Sequence, residues 1–365
     1  MSENSSSIQT DDVSQTEKEY FLEVIKVFGS YKKQCQDKFN KTRRFVNRMS
    51  DCHRRKLCKY LDLINDCEDA CEHNQAVFDR IVKHGVMFDN VDFLLEKEKS
   101  FSIKDDSPRF NIDPRRLNSV LHQIVREWTT FGKEERDMCF GPILKAVDKY
   151  FKDNSNKADL HILVPGAGLG RLVFELTLLG YSTEGNEFSP MMLFPSNYIL
   201  NKLTDQNSET IYPWITSVSN VLNTSDRLKQ VTFPDVNPKD VPLGVEFTMS
   251  AGCFLDIYSE SRWNCIVTCF FLDTSKNILQ YIENISKILL KGGYWINIGP
   301  LHYHYADMAN ENSIEPTYEM LREIIESFGL KFLEERTNVS TKYTQNPSSM
   351  MQYVYNSVFF VCYKE

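Results

Sequence analysis

The chain has 365 residues, enough for one large domain or two moderate ones, and its 42% hydrophobic and 25% charged residues are ordinary for a soluble globular protein. Its 42 basic against 50 acidic residues give a net charge of -8, which argues against DNA or RNA as the substrate. The polar, acidic start of the chain does not fit a signal peptide, and the longest apolar run, near Cys265 to Leu272, is too short to span a bilayer. We therefore expect no membrane partner and a cytoplasmic location, with the nucleus as a second compartment.

The ten cysteines do not form a zinc-binding pattern. Cys67 and Cys71 lie one helical turn apart with His73 nearby, but the sequence has none of the Cys-x2-Cys pairs that zinc sites usually show. We predict reduced cysteines that pack as small apolar side chains, and no metal.

The first part of the chain is predicted to be helical. Residues 1–15 are polar and predict a disordered tail, whereas apolar residues from Phe21 to Phe39 recur every three or four positions, after a capping residue at Thr16. Residues 16–97 thus form a predicted helical module, and the polar residues 98–115 a linker. The module is predicted either to cover the domain that follows or to form a homodimer surface.

Strands and helices alternate through residues 116–365, the predicted second domain. This alternation predicts an α/β fold with a mostly parallel, doubly wound sheet. The predicted strands are His161–Pro165, Ser182–Glu187, Phe247–Ala251, Trp263–Asp273, Tyr294–Gly299, Lys331–Thr337 and Tyr353–Tyr363. A closing antiparallel pair after five parallel strands is typical of the Rossmann-like class I methyltransferase sheet.

The first two predicted strands carry the pattern of a site for an adenosine-containing cofactor. Gly166, Gly168 and Gly170 follow the first strand, and Glu187 ends the second, where a carboxylate can accept hydrogen bonds from ribose hydroxyls. The G-x-G-x-G spacing is one residue tighter than a dinucleotide loop, which favours S-adenosylmethionine over NAD. Val164 stands where many methyltransferases of this class have an acidic residue.

Further polar residues follow the other predicted strands. Cys253 and Phe254 follow the third, Asp273 ends the fourth, and paired histidines and tyrosines from His302 to Tyr305 follow the fifth. Ligands of such sheets bind at the carboxyl ends of the strands, so these residues are candidates for a substrate pocket. Asp273 could instead cap the following helix, and the histidine–tyrosine segment could be an exposed loop.

From about Arg116 onward the chain resembles the carnosine N-methyltransferases. The segments that carry the resemblance are long: ILVPGAGLGRLVFEL, GNEFSPMMLFPSNYILN, IYPWI, FPDV, CIVTCFFLDT, GGYWINIGPLHYHY and SMMQYVY. The family's glycine loop also lacks the upstream acid. The resemblance implies methyl transfer from S-adenosylmethionine to an imidazole nitrogen of carnosine, giving anserine, or of related histidine-containing dipeptides.

The resemblance also implies roles for individual residues. The implied cofactor residues are Gln123 and Arg126 at the methionine part, Gly166 and Gly168 in the loop, Glu187 at the ribose, and Cys253 and Phe254 at the adenine. Cys253 departs from the family, which usually has aspartate there. The residues implied to surround the substrate are Asp273, His304, Tyr343 and Tyr355.

The chemistry of imidazole gives Asp273 a catalytic role in this interpretation. A neutral imidazole has one N–H and one lone pair, and only the nitrogen with the lone pair can attack a methyl group. A carboxylate that accepts the N–H fixes the tautomer and stabilises the cation that forms. Asp273 is predicted to orient the ring and later to accept its proton.

Other functions remain open on the sequence. A methyltransferase acting on protein histidine or on RNA is the main alternative, although the Asp/Asn-Pro-Pro-aromatic signature of many nucleic-acid methyltransferases is replaced by Asp273-Thr274-Ser275. An NAD-dependent oxidoreductase is disfavoured by the loop spacing. A catalytically silent scaffold would be expected to lose Asp273 or the glycine loop, and both are present.

Overall fold

A computed structural model describes the backbone of residues 6–84 and 112–365. The helices in these ranges are α1 (Ser6–Gly29), α2 (Tyr31–Asn47), α3 (Asp51–Lys56), α4 (Cys58–His84), α5 (Arg116–Trp128), α6 (Lys133–Phe151), α7 (Arg171–Leu178), α8 (Pro190–Lys202), α9 (Thr224–Arg227), α10 (Phe254–Ile257), α11 (Ile278–Ile288) and α12 (Tyr318–Ser327). The strands are β1 (His161–Pro165), β2 (Ser182–Glu187), β3 (Glu209–Ile211), β4 (Val231–Phe233), β5 (Phe247–Ala251), β6 (Trp263–Cys269), β7 (Leu289–Gly299), β8 (Leu330–Thr341) and β9 (Tyr355–Lys364). Within the described ranges, no helix is long and apolar enough to cross a membrane.

The chain divides into two compact units. The first contains the described residues up to His122 together with Asn207–Thr232 and Ser348–Met350, and the second contains the rest. The units thus part inside α5, after the residue 116 at which we placed the boundary, and a segment from the middle of the chain belongs to the first unit. Most of the predicted linker, residues 98–111, lies outside the described residues.

The first unit is built on long helices. Phe78 of α4 packs edge-on against Phe28 and Tyr31, with ring centroids 5.4 and 5.1 Å apart. Buried Asn74 donates to the backbone oxygen of Tyr212 at 2.9 Å and accepts from its N–H at 2.8 Å, which satisfies both ends of a buried amide.

The helix boundaries of this unit differ from the predicted ones. The backbone of α1 is helical from Ser6, so the predicted start after a cap at Thr16 is wrong, and residues 1–5 lie outside the described residues. The helix is also interrupted at Ser30, between α1 and α2, inside the stretch that was predicted as one helix.

The second unit contains a seven-stranded sheet with the order β5-β2-β1-β6-β7-β9-β8. The first five strands of that order are parallel, whereas β9 runs antiparallel to both of its neighbours. This is the predicted Rossmann-like methyltransferase sheet, and the fold prediction is confirmed. Because Pro165 lies opposite Asn186, the loop after β1 begins beside Glu187.

Alternate residues of the central strands point into two apolar cores, as a sheet covered on both faces requires. Ile162 and Val164 of β1 join the core beneath α6 and α7, while Leu163 joins the core beneath α11 and α12. Because both faces are covered by helices, room for a ligand remains at the ends of the strands.

The predicted fourth strand, Trp263–Asp273, is too long. Strand β6 ends at Cys269, and Phe270 follows with a φ of 54°, a left-handed conformation that turns the chain. Asp273 then lies in a short 3-10 turn, Leu272–Thr274, rather than on the strand.

Candidate active site

A cleft of about 630 Å³ lies at the carboxyl ends of the parallel strands. The residues that the resemblance implies for cofactor and substrate line this cleft: Gln123, Arg126, Gly166, Gly168, Glu187, Cys253, Phe254, Asp273, His304, Tyr343 and Tyr355. Gly170 and Tyr303, which the strand pattern also suggested, are not among its lining residues. The structure thus brings together residues that are more than two hundred positions apart, and their individual roles stay predictions.

The glycine loop is held by positive φ angles and by close protein contacts. The φ angles of Gly166, Gly168 and Gly170 are 67°, 58° and 83°, a region in which residues with a Cβ are strained. A Cβ at Gly166 would lie 2.5 Å from the Phe271 ring, and one at Gly168 would lie 2.5 Å from Glu127 Oε1. These two glycines therefore make room for protein side chains as well as for a ligand.

Glu187 links the loop to the following helix. Its Oε2 accepts from Gly168 N at 3.0 Å, and its Oε1 accepts from Phe188 N and Ser189 N at 2.9 and 2.8 Å, just before α8. Burial raises the pKa of Glu187, and these three amides oppose the rise. The carboxylate is thus fixed in place beside the loop, where the resemblance puts the ribose.

Glu127, at the end of α5, is a cleft residue that our sequence reasoning missed. Its side chain is 2% exposed, and it accepts hydrogen bonds from Leu169 N at 3.1 Å, from Arg171 N at 3.1 Å and from the Gln123 amide. Burial raises the pKa of this carboxyl group. The sequence did carry a sign of this role, because the last turns of α5 have polar residues on the side of the helix opposite its apolar face.

Arg126 is a buried cation that faces the cleft. Its Nε lies 2.8 Å from Glu135 Oε1, and its guanidinium lies 4.7 Å from the centroid of the Tyr343 ring. Its Nη2 has no hydrogen-bond partner among the described residues. A buried guanidinium nitrogen without a partner is costly, so an anionic group bound at this atom would be stabilising.

An aromatic cluster borders the cleft after β5. Buried Phe254 packs edge-on against Phe271 and Tyr281, whose rings are stacked at 4.6 Å with an interplanar angle of 3°. Half-buried Cys253 precedes α10 and lines the cleft beside Phe254. The apolar surroundings fit a flat purine ring, and the thiol is a weaker hydrogen-bond partner than the family's aspartate.

Asp273 is fixed by the segment after β7. It is 3% exposed, its Oδ2 accepts from His302 N at 2.8 Å, and its backbone oxygen accepts from His304 N at 3.0 Å. Its Oδ1 accepts no hydrogen bond from another of the residues described. Burial raises the pKa of Asp273, and the His302 amide opposes the rise. One oxygen is thus anchored, and the other is left for a ligand.

Aromatic residues form the wall near Asp273. The ring of Phe270 lies 5.0 Å from Tyr343 and 5.8 Å, edge-on, from Tyr355. The backbone strain at Phe270 places this ring in the cleft, a role that sequence reasoning missed because the residue was assigned to a strand. Burial raises the pKa of Tyr343 to about 12, so its phenol stays protonated at neutral pH. The side chain of His304 is exposed at the cleft.

Comparisons with known proteins identify the same family over nearly the whole chain. A family model described as carnosine N-methyltransferase matches residues 105–365. The chain is 40% identical to the carnosine N-methyltransferase of Rattus norvegicus over 360 residues, which cover 97% of this chain and 88% of the rat protein. The corresponding protein of Drosophila melanogaster is 37% identical, covering 95% of this chain and 80% of its own length. The Schizosaccharomyces pombe protein is 32% identical, covering 93% and 94%.

Among solved structures, the chain is similar to a magnesium protoporphyrin IX methyltransferase from Synechocystis with bound SAH. The sequence identity is 10% and the TM-score 0.40, over 69% of this chain and 96% of that one.

Proposed function

The chain belongs to the carnosine N-methyltransferase family, and from this premise we propose that it transfers a methyl group from S-adenosylmethionine to an imidazole nitrogen of carnosine, giving anserine. Related histidine-containing dipeptides belong to the same substrate class. The observation that carries the proposal is the presence, in one cleft, of a buried guanidinium without a full set of partners and a buried carboxylate with one free oxygen.

The residues present fit S-adenosylmethionine. The Nη2 of Arg126 is a buried donor that needs an anion, which the methionine carboxylate would provide, and Glu187 lies beside the loop where ribose hydroxyls would be bound. Phe254 and its aromatic neighbours would border the adenine. When bound, the cofactor supplies an electrophilic methyl group on a sulfonium.

Asp273 would orient the substrate ring. Its Oδ1 accepts the N–H of a neutral imidazole, which leaves the lone pair of the other nitrogen to form the N–CH3 bond. The positive charge that develops on the ring is stabilised by the carboxylate, which then takes the proton of the first nitrogen. Since Oδ2 is held by His302 N, the carboxylate needs little reorganisation as this charge forms.

The surrounding residues would fix and enclose the ring. Phe270, Tyr343 and Tyr355 form an aromatic wall, which excludes water and restricts the ring plane. His304, whose backbone N–H donates to the backbone oxygen of Asp273, would contact the peptide part of the substrate. Much of the rate would come from alignment of the attacking nitrogen with the transferred methyl group.

A methyl-transfer assay tests this proposal. Labelled S-adenosylmethionine is offered with carnosine, free histidine, a histidine-containing peptide and RNA in parallel reactions. We expect label on the imidazole ring of carnosine, and none with Asp273→Asn. Label on the peptide or on RNA, with none on carnosine, would instead support the alternative substrate class.

A further inference from the structure

We infer that Glu127 is a further cofactor-binding residue, whose carboxylate receives the α-ammonium group of the methionine part of S-adenosylmethionine. This inference rests on the proposed function, because it assigns one more contact in the same cleft. Under this inference, Glu127 binds the cofactor as well as the loop amides from which it already accepts hydrogen bonds.

Glu127 and Arg126 form a charge pair that matches an amino-acid zwitterion. Both line the cleft, their side chains are 2% and 5% exposed, and Arg126 Nη1 lies 4.0 Å from Glu127 Oε1. The carboxylate and ammonium groups of an α-amino acid are attached to one carbon atom. A ligand carboxylate on Arg126 therefore brings its ammonium group close to Glu127.

The other carboxylates that line the cleft are held in other parts of it. These are Glu187 and Asp273. Glu187 accepts three backbone amides at the loop and at the start of α8, and Asp273 belongs to the turn held by His302. Val164, on the strand that leads into the loop, is apolar. Glu127 is the lining carboxylate that lies next to the buried cation.

The loop is built to keep this carboxylate in contact with it. A Cβ at Gly168 would lie 2.5 Å from Glu127 Oε1 and 3.2 Å from Gln123 Nε2, so a side chain there would displace Glu127. The Gln123 amide and the Leu169 and Arg171 amides fix the position of the carboxylate. They are neutral donors, however, and a buried carboxylate gains more from a cation.

The test is a pairwise comparison of ligands and variants of the full chain. S-adenosylhomocysteine and its analogue without the α-amino group are titrated calorimetrically into the wild-type protein, Glu127→Gln and Glu127→Asp. Glu184→Gln is the matched control, because Glu184 bonds to Ser250 and Tyr258 and is not among the residues lining the cleft. The measured quantity is the ratio of the two dissociation constants, in which any general loosening of the loop cancels.

We expect the wild-type protein and Glu184→Gln to bind the deamino analogue about 10- to 100-fold more weakly than S-adenosylhomocysteine, as for a lost charged hydrogen bond. In Glu127→Gln the ratio should fall to within about threefold, and in Glu127→Asp it should fall part of the way. If Glu127→Gln does not fold, the Glu127→Asp ratio decides the question.

Two results overturn the inference. One is equal binding of both ligands to the wild-type protein, and the other is a ratio in the Glu127 variants that equals the wild-type ratio. If the wild type then still methylates carnosine, the proposed function survives without this contact. Failure of the wild-type protein to bind either ligand would overturn both.

Discussion

Three carboxylates line the cleft, at Glu127, Glu187 and Asp273, and burial raises the pKa of each. A raised carboxyl pKa means that the folded protein holds the proton more tightly than the unfolded chain. The stability gained from that proton is complete at low pH and is lost as the pH rises from the ordinary carboxyl value through the raised one. Above its raised pKa, each of these groups in the ligand-free protein is therefore charged at a cost in stability.

We expect Asp273→Asn to reduce turnover without reducing the stability of the protein. The amide retains an oxygen that can accept from His302 N, so cofactor binding should change little, while methyl transfer to carnosine should fall by orders of magnitude. Since a neutral side chain is cheaper to bury, the melting temperature of the ligand-free protein should rise or stay level. Calorimetric binding, a single-turnover assay and a thermal scan measure these three effects. Unchanged turnover would remove Asp273 from the mechanism.

The pH profile of kcat/KM for carnosine gives a second prediction at this scale. The attacking imidazole must be neutral, with a reference pKa of roughly 6.5, and Asp273 must be ionised. Activity should therefore fall below about pH 6.5 with a slope of one, and steepen further as Asp273 is protonated. The residual activity of Asp273→Asn should keep a slope of one throughout. Steepening that persists in this variant would point to another acid.

The cleft residues that sequence reasoning missed were missed for one reason, which is that tertiary structure rather than local sequence determines their positions. Glu127 was passed over because a glutamate at the end of a helix is usually solvated, and its burial depends on the loop that packs against it. Phe270 was assigned to β6, since an apolar run does not reveal where a strand turns. By contrast, the loop glycines and Glu187 could be predicted because their chemistry depends on local spacing.

At the scale of elements, a buried ionic network positions the end of α5 that lines the cleft. Asp235 pairs with Arg136 Nη2 at 2.6 Å and with Arg171, and Arg136 Nη1 donates to the backbone oxygens of Arg126 and Thr129 at 2.8 Å. The network thus joins α5, α6 and α7 behind the glycine loop. It sets where Arg126 and Glu127 enter the cleft.

Asp235→Asn is expected to be strongly destabilising. It leaves two buried guanidinium groups without their shared anion, which should lower the free energy of unfolding by about 3–5 kcal/mol. Urea unfolding measures the loss. The control is Glu335→Gln, which breaks an exposed pair with Arg322 and should have little effect. Equal, small losses in both variants would show that the buried network is dispensable.

The predicted element boundaries are correct where turn residues flank a clear periodic segment. They are wrong where tertiary contacts decide the backbone conformation. Strands β1, β2 and β5 have the predicted boundaries, because strong turn signals flank them. Strands β3 and β4 have three residues each, too few to show an alternating pattern. Strand β7 begins at Leu289 rather than at the predicted Tyr294, since Gly292 and Gly293 read as a turn although they continue the strand.

For the whole molecule, cofactor binding should stabilise the second unit, which contains every residue of the cleft. At about a hundred times its dissociation constant, S-adenosylhomocysteine should add about 2.7 kcal/mol to the free energy of unfolding. Trp128, Trp263 and Trp295 lie in this unit, so tryptophan fluorescence during urea unfolding reports the change. Glu187→Ala should give a smaller gain at the same ligand concentration. No gain in the wild type would contradict the cofactor assignment.

The strand order also has a consequence for synthesis. Strand β9 follows every other strand in the chain, yet it lies inside the sheet, between β7 and β8. On the ribosome, β8 cannot join the sheet until β9 emerges, because β9 is its neighbour in the strand order and connects it to β7. Tyr355, the first residue of β9, belongs to the aromatic wall around Asp273. The wall of the cleft around Asp273 is therefore completed only when the last strand of the sheet has been inserted between its two neighbours.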